Sequence, residues 1–277
     1  MPEMIYSCTV KTQKTGENDI MKNYFDFKGQ VAIITGCSTG LGVQMARALA
    51  NQGCSIVAVA RRQELIDEFT SSVEKEYGVD TLAIRCDITD TAAVNAMVDQ
   101  VLEKFGRIDI LINNAGTGAV APAEDITDEQ FQNEMNIDLF GSFRVARAVA
   151  KKYMIGAKYG RIINIASMYG LVGNKICGSA PYHAAKGGVV NMTRALAAEW
   201  GKYNITVNAI CPGYFYTDLT RDTLNSDFFQ QNAKTMIPEE RYGEEGELDT
   251  AAIFLAAPAS SYVTGVNLAV DGGYTAM

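Results

Sequence analysis

Seven short runs rich in Val and Ile recur along this chain, at residues 31–35, 56–60, 81–85, 108–113, 161–166, 205–210 and 266–270. They are apolar throughout rather than alternating, and a strand that is apolar on both faces needs cover on both faces. Helical periodicity at 41–51, 91–105, 131–152 and 181–200 supplies that cover between the runs. Repeated strand–helix units of this kind imply a parallel, doubly wound α/β sheet flanked by helices. No Pro-, Gly- or Ser-rich linker interrupts the pattern, so one domain is expected over residues 28–277. The segment 217–247 has weak strand character and reads as small helices or a lid after the sixth strand.

Residues 1–27 read as a polar N-terminal extension without the continuous apolar stretch of a secretory signal. No apolar run is long enough to span a bilayer, so no membrane partner is expected. Twenty-four basic against thirty-two acidic residues give a formal net charge of −8. That balance argues against bulk attraction to nucleic acid. The six cysteines are scattered without a C-x-x-C, and a single histidine, His183, cannot supply a multi-histidine metal site. Reduced thiols, a cytoplasmic location and no metal are the expectation.

The first strand runs directly into Thr35-Gly36-Cys37-Ser38-Thr39-Gly40-Leu41-Gly42, and a helix follows. Glycines there allow a tight turn and a close approach of backbone N–H groups to a pyrophosphate at the helix N-terminus. The spacing departs from G-x-G-x-x-G, so strand–loop–helix context carries the reading more than the glycines do. The second strand ends in Ala60-Arg61-Arg62 with no carboxylate before Glu64. An acidic residue there suits the 2′-hydroxyl of NAD; two guanidiniums suit a 2′-phosphate. NADP(H) is therefore expected over NAD(H).

Tyr182 and Lys186 lie four residues apart near the start of the last long helix, on one face. Ser167 stands at the C-terminal end of the fifth strand, where such sheets bind ligands. The motifs TGCSTGLG (35–42), CDIT (86–89), NNAG (113–116), NIAS (164–167), YHAAK (182–186), PGYFYT (212–217) and VDGG (270–273) follow in order. Together they resemble the short-chain dehydrogenase/reductase family from Lys28 to the C-terminus, a family with a Rossmann-type fold. The resemblance implies Tyr182 as general acid/base and Ser167 as hydrogen-bonding partner of the carbonyl or alcohol. It gives Lys186 the nicotinamide ribose and the task of lowering the Tyr182 pKa. Asp87 and Ile88 would flank the adenine, and Asn114, Ala115 and Gly116 would line the cofactor groove. Pro212, Gly213 and Phe215 would border the same groove, with Thr217 on the carboxamide. A free phenol titrates near 10, and a cation about 4 Å away is worth roughly 4 kcal/mol, or about three pKa units. His183 points elsewhere from its helix and reads as a surface or interface residue. The family often carries an asparagine where this chain has Asp138, so a proton-relay role for Asp138 is an expectation with a departure in it.

The implied enzyme interconverts a ketone and a secondary alcohol by hydride transfer. The resemblance is greatest to gluconate 5-dehydrogenase-like and polyol- or carbonyl-reducing members, through Ala198-Glu199-Trp200, PGYFYTDLT (212–220) and Glu240-Arg241-Tyr242-Gly243. Yet the loop after NNAG, residues 117–122, brings no cation to meet a substrate carboxylate. Met168, Tyr169 and Tyr214 are the candidate substrate residues, within a wider apolar set of Phe215, Tyr216, Phe228, Phe229 and Met236, several of which are expected to pack under the lid. A polyol/ketose or sugar acid, a hydroxysteroid and a 3-oxoacyl thioester all stay open as substrates. The rival from another class is a catalytically idle, NADP(H)-sensing interaction protein. The resemblance also suggests a homo-oligomer, a tetramer or dimer, built through the helices at 131–152 and 181–200.

Overall fold

The computed structural model describes residues 23–118, 120–175, 178–217 and 220–277. The first 22 residues of the expected extension lie outside them, and Phe27 is fully buried in the core. The chain order begins with β1 (Val31–Thr35), α1 (Gly40–Asn51), β2 (Ser55–Ala60), α2 (Gln63–Tyr77), β3 (Thr81–Arg85), α3 (Thr91–Phe105) and β4 (Ile110–Asn113). A long helical stretch follows in three α-helical pieces, α4 (Asp128–Glu134), α5 (Ser142–Val149) and α6 (Ile155–Ala157). Two π-helical segments, Met135–Gly141 and Ala150–Met154, join them. Then come β5 (Gly160–Ile165), α7 (Ala180–Trp200), β6 (Ile205–Pro212), α8 (Arg221–Leu224), α9 (Asp227–Met236), α10 (Asp249–Ala256) and β7 (Asn267–Val270).

All seven strands are parallel, in the order β3-β2-β1-β4-β5-β6-β7. The direction of winding reverses between β1 and β4, and the crevice at that switch point is where such sheets bind ligands. The continuous apolar strands have a direct cause. Ala32 and Ile34 face one layer with Met45 and Leu49 of α1, while Val31 and Ile33 face the other with Met97 and Val101 of α3. Each strand thus feeds two cores by alternation, and each buried Ile or Val contributes on the order of 2 kcal/mol.

The strands fall within two residues of their expected bounds. β4 starts at Ile110 rather than 108 because Asp109 turns its carboxylate onto the Val31 N–H (2.9 Å) and Arg107 (2.7 Å). The helix expected at 131–152 starts at Asp128, where Thr127 and Gln130 form a capping box, and its two π-helical segments shift the face it presents. The expected lid holds α8 and α9. None of the described helices is long and apolar enough to cross a membrane. The described cysteines Cys37, Cys54, Cys86 and Cys211 are free and buried. No metal-binding cluster of His, Cys, Asp or Glu occurs among the described residues.

Asp249 opens α10, and burial, with Glu245 nearby, pushes its carboxyl up to about 6. A raised acid favours the protonated folded state, so its penalty grows as pH rises from about 4 to about 6 and stays constant above. Asp249→Asn is expected to stabilise the fold by ~1 kcal/mol at pH 7.5, allowing for solvent screening. The gain should vanish below about pH 4, as measured by urea denaturation across that range.

Candidate active site

The loop between β1 and α1 closes because Gly36 and Gly40 adopt φ of +68° and +64°, a region open to glycine at little cost. Close approach fixes the rest. A Cβ on Gly42 would lie 2.6 Å from the Gly36 carbonyl oxygen, and one on Gly36 2.8 Å from Ala115 Cα. Asn114 holds the loop from the far side, its amide donating to the carbonyls of Thr35 and Gly36 at 3.1 Å each. Its side chain is thereby committed to shaping the groove. The α1 N-cap, Thr39, makes no side-chain capping bond, which leaves the first-turn N–H groups to an anion.

One cleft of about 580 Å³ runs from this loop across the sheet's C-terminal edge. Gly36, Ser38, Thr39, Gly40, Leu41, Arg61, Arg62, Asp87, Ile88, Asn114, Ala115, Gly116, Ser167, Tyr182, Lys186, Pro212, Gly213, Phe215 and Thr217 all border it. At one end Arg62 donates to Ser38 Oγ (2.7 Å) and Thr39 Oγ1 (3.2 Å), with Arg61 beside it. Asp87 accepts from the Thr89 N–H and hydroxyl at 2.9 and 2.7 Å, which holds its carboxyl below the usual range.

At the other end stand Ser167, Tyr182 and Lys186. Ser167 follows β5 and caps a 3₁₀ turn by accepting from the Tyr169 N–H at 3.1 Å, and its hydroxyl helps to lower the Tyr182 pKa. Tyr182 is half-buried and faces the cleft; Lys186 Nζ lies 5.5 Å from its ring centroid. Small residues bring α7 this close. A Cβ on Gly170 would lie 2.7 Å from the Lys186 carbonyl oxygen, and one on Gly188 2.7 Å from Leu139 Cδ2.

Beneath Lys186 lies Asp138, fully buried in the π-helical segment. Its Oδ2 is 3.1 Å from Lys186 Nζ, and its Oδ1 accepts from the Thr117 N–H at 2.8 Å. Lys186 also donates to the Ile165 carbonyl at 3.1 Å. Burial alone lowers an ammonium's pKa, but here Asp138, with Tyr182, more than offsets it and the net direction is upward. Tyr182 departs from the sequence-based expectation. Burial pushes its phenol above its ordinary value, Lys186 and Ser167 pull it down, and Asp138 and Glu134 push it up again; the net direction is upward. Lys186 acts in the expected sense, but its charge is already matched by Asp138. Sequence reasoning missed Glu134, a carboxylate only 1% exposed, one turn before Asp138.

The candidate substrate residues sit mostly beside the cleft. Met168 and Tyr214 are buried with Phe229 and Leu224 in a small core under the lid, where Tyr169 and Met236 also pack. Tyr169 and Tyr214 hydrogen-bond through their hydroxyls, and Tyr274 meets both rings edge-on. Phe215 is also buried, whereas Tyr216 and Phe228 are exposed. His183 stacks on Tyr169 at 4.7 Å and bonds the Ser179 carbonyl at 2.8 Å, so it is held inside the fold rather than standing free on the surface.

A glycine-cradled cleft with a hydroxyl, a phenol and an ammonium at the end of a parallel sheet has the parts expected of an oxidoreductase on this fold. Comparison with known proteins agrees. A family model described as enoyl-(acyl carrier protein) reductase matches residues 36–275. The chain is 38% identical over 256 residues to 2-dehydro-3-deoxy-D-gluconate 5-dehydrogenase of Dickeya dadantii, covering 92% of this chain and 98% of that one. It is 38% identical to D-threitol dehydrogenase of Mycolicibacterium smegmatis, over 91% of this chain and 95% of the relative. The structure of gluconate 5-dehydrogenase from Burkholderia cenocepacia, in complex with NADP and tartrate, superposes with a TM-score of 0.87 at 37% identity, covering 92% of this chain and 98% of that one. The chain belongs to the short-chain dehydrogenase/reductase family, and it is an oxidoreductase.

Removing one member of a buried ion pair leaves the other charge uncompensated. Asp138→Ala is therefore expected to cost about 3 kcal/mol of unfolding free energy, with Asp138→Asn costing less, by chemical denaturation at neutral pH.

Proposed function

We propose that this chain interconverts a ketone and a secondary alcohol of the polyol/ketose or sugar-acid type, using NADP(H). The observation that carries the reading is Ser167, Tyr182 and Lys186 bordering the same cleft as Arg61, Arg62 and the glycine loop. The residues present fit a dinucleotide phosphate: the loop admits no Cβ at Gly36 or Gly42, and two guanidiniums stand at the end of β2 beside the Ser38 hydroxyl. When bound, that cofactor supplies or accepts the hydride. The NADP named with the Burkholderia cenocepacia relative supports the same choice.

In reduction, Ser167 holds the substrate oxygen by donating a hydrogen bond to it. Tyr182 gives its proton to that oxygen as the carbonyl carbon receives hydride, which leaves a tyrosinate and a secondary alcohol. Lys186, charged because Asp138 lies beneath it, stabilises the tyrosinate and binds the nicotinamide ribose. Oxidation runs the same steps backwards, with Tyr182 taking the alcohol proton. A raised Tyr182 pKa keeps the phenol protonated before the cofactor binds, the state that reduction requires. Asp138 acts on this chemistry through Lys186 and is a positioning residue. The names of the sugar-acid and threitol dehydrogenases among the relatives support a hydroxylated substrate over a steroid or acyl thioester.

The test is NADPH oxidation with a panel of ketoses and activated ketones. Tyr182→Phe should lower kcat/KM by about 10²–10⁴-fold, while NADPH affinity by fluorescence titration changes little. Full activity in that variant sinks the assignment. Arg62→Ala should weaken NADPH binding by about tenfold and leave NADH nearly unchanged, since a charge-assisted bond to the 2′-phosphate is worth roughly 1.5 kcal/mol or more. Equal losses for both cofactors contradict the 2′-phosphate reading.

A further inference from the structure

We infer that Thr193 and Asn164 are positioning residues for the reaction: their hydrogen bond registers α7, which carries Tyr182 and Lys186, against β5, which leads into Ser167. The inference rests on the site assigned under Proposed function and adds the contact that holds its two halves in place.

Behind the cleft, a chain of side-chain hydrogen bonds crosses from β4 to α7. Asn113 donates through its amide to the Ser142 carbonyl (3.1 Å) and to Asn164 Oδ1 (3.0 Å). Asn164 donates to Thr193 Oγ1 (2.9 Å), and the Thr193 hydroxyl donates to the Val189 carbonyl (2.8 Å). The polarity has one solution. The Thr193 proton goes to a carbonyl, so its oxygen can only accept, which turns the Asn164 amide nitrogen towards α7 and its oxygen towards Asn113. Asn164 and Thr193 are fully buried, so neither can exchange its partner for bulk water.

Position gives this bond its leverage. Asn164 pairs with Asn113 in the sheet and precedes Ser167 by one short step of chain. Thr193 lies about two turns beyond Lys186 on the buried face of α7. Lys186 Nζ bonds the carbonyl of Ile165, the residue after Asn164, at 3.1 Å. Two polar contacts, about 10 Å apart along the helix, therefore tie α7 to β5. Between them Val189 and Val190 pack with Ala166, Ala209 and Cys211. Apolar contacts are non-directional and tolerate a small slide or rotation of the helix, whereas a satisfied pair of buried hydrogen bonds does not. Such a slide separates Tyr182 from Ser167, and a misplacement of about 1 Å can cost about 10²-fold in rate.

The experiment compares Thr193→Val, which keeps the shape and removes both hydrogen-bonding roles, with Thr193→Ser, which keeps both. With NADPH and diacetyl or a ketose, Thr193→Val should lower kcat by about tenfold or more, with the ketone KM and NADPH affinity within about threefold of wild type. Thr193→Ser should retain kcat within about twofold. Val190→Ala thins the packing of the same helix face without touching the polar chain, and should lower the melting temperature while keeping kcat within about twofold. If Thr193→Val loses no more kcat than Val190→Ala does, Thr193 acts on stability alone and the proposal is overturned. Should Thr193→Val fail to fold, Thr193→Cys supplies a weak donor and acceptor at the same point and should turn over more slowly than Thr193→Ser; equal rates overturn the proposal. Crystal structures give a reading independent of turnover. The Ser167–Tyr182 Cα separation should change by about 0.5 Å or more in Thr193→Val, or in Thr193→Cys in its place, and stay fixed in Thr193→Ser. An unchanged separation overturns the register role. If the wild type reduces neither diacetyl nor a ketose, the ketone–alcohol reading fails, and the crystallographic separation still decides the role of Thr193.

Discussion

The ion pair between Lys186 and Asp138 joins four pieces of chain that the sheet alone does not bring into register. Lys186 comes from α7 and reaches the Ile165 carbonyl at the end of β5. Asp138 comes from the π-helical segment and reaches the Thr117 N–H in the loop after β4. Gly116 lies between them, and a Cβ there would sit 3.2 Å from both the carboxylate and the ammonium. A charge pair buried this deeply survives only when further hydrogen bonds satisfy its members, and here each has one. The position of the ammonium relative to Tyr182 is thus set by the packing of the fold and not by a flexible side chain.

The same pair determines how the proposed acid/base behaves. A lone lysine would draw the phenol towards neutrality. A lysine already matched by a carboxylate draws it less, and burial with the nearby carboxylates carries Tyr182 upward instead. This arrangement favours a protonated tyrosine in the free protein.

Much of this was legible in the sequence where the signal is local. The apolar strands follow from burial on two faces, and the glycine loop, Arg61, Arg62, Ser167, Tyr182 and Lys186 come together because each sits at a strand end or in the first two turns of the helix beyond it. What stayed hidden depends on helical phase. The stretch around 131–152 reads as one regular helix, in which Asp138 stands out by its motif position but Glu134 does not; both are buried, Glu134 at the end of α4 and Asp138 in the π-helical segment after it. Met168, Tyr169 and Tyr214 show the opposite ambiguity, since an aromatic-rich segment beside a site reads equally as pocket wall or lid core. In the structure Met168 and Tyr214 are buried with Leu224 and Phe229 in the small core under the lid, and Tyr169 packs against it beside Tyr274.

The central claim is that burial raises the Tyr182 pKa and that the buried charge of Asp138, by matching Lys186, limits how far the ammonium can draw it back down. The direct measurement is the pH dependence of kcat/KM for alcohol oxidation in the wild type and in Asp138→Asn, which keeps the shape and removes the charge. Oxidation needs the tyrosinate, so the acidic limb should move to lower pH in the variant. An acidic limb at the same pH in both proteins would contradict the account, because Asp138 would then shape the site without tuning its charge.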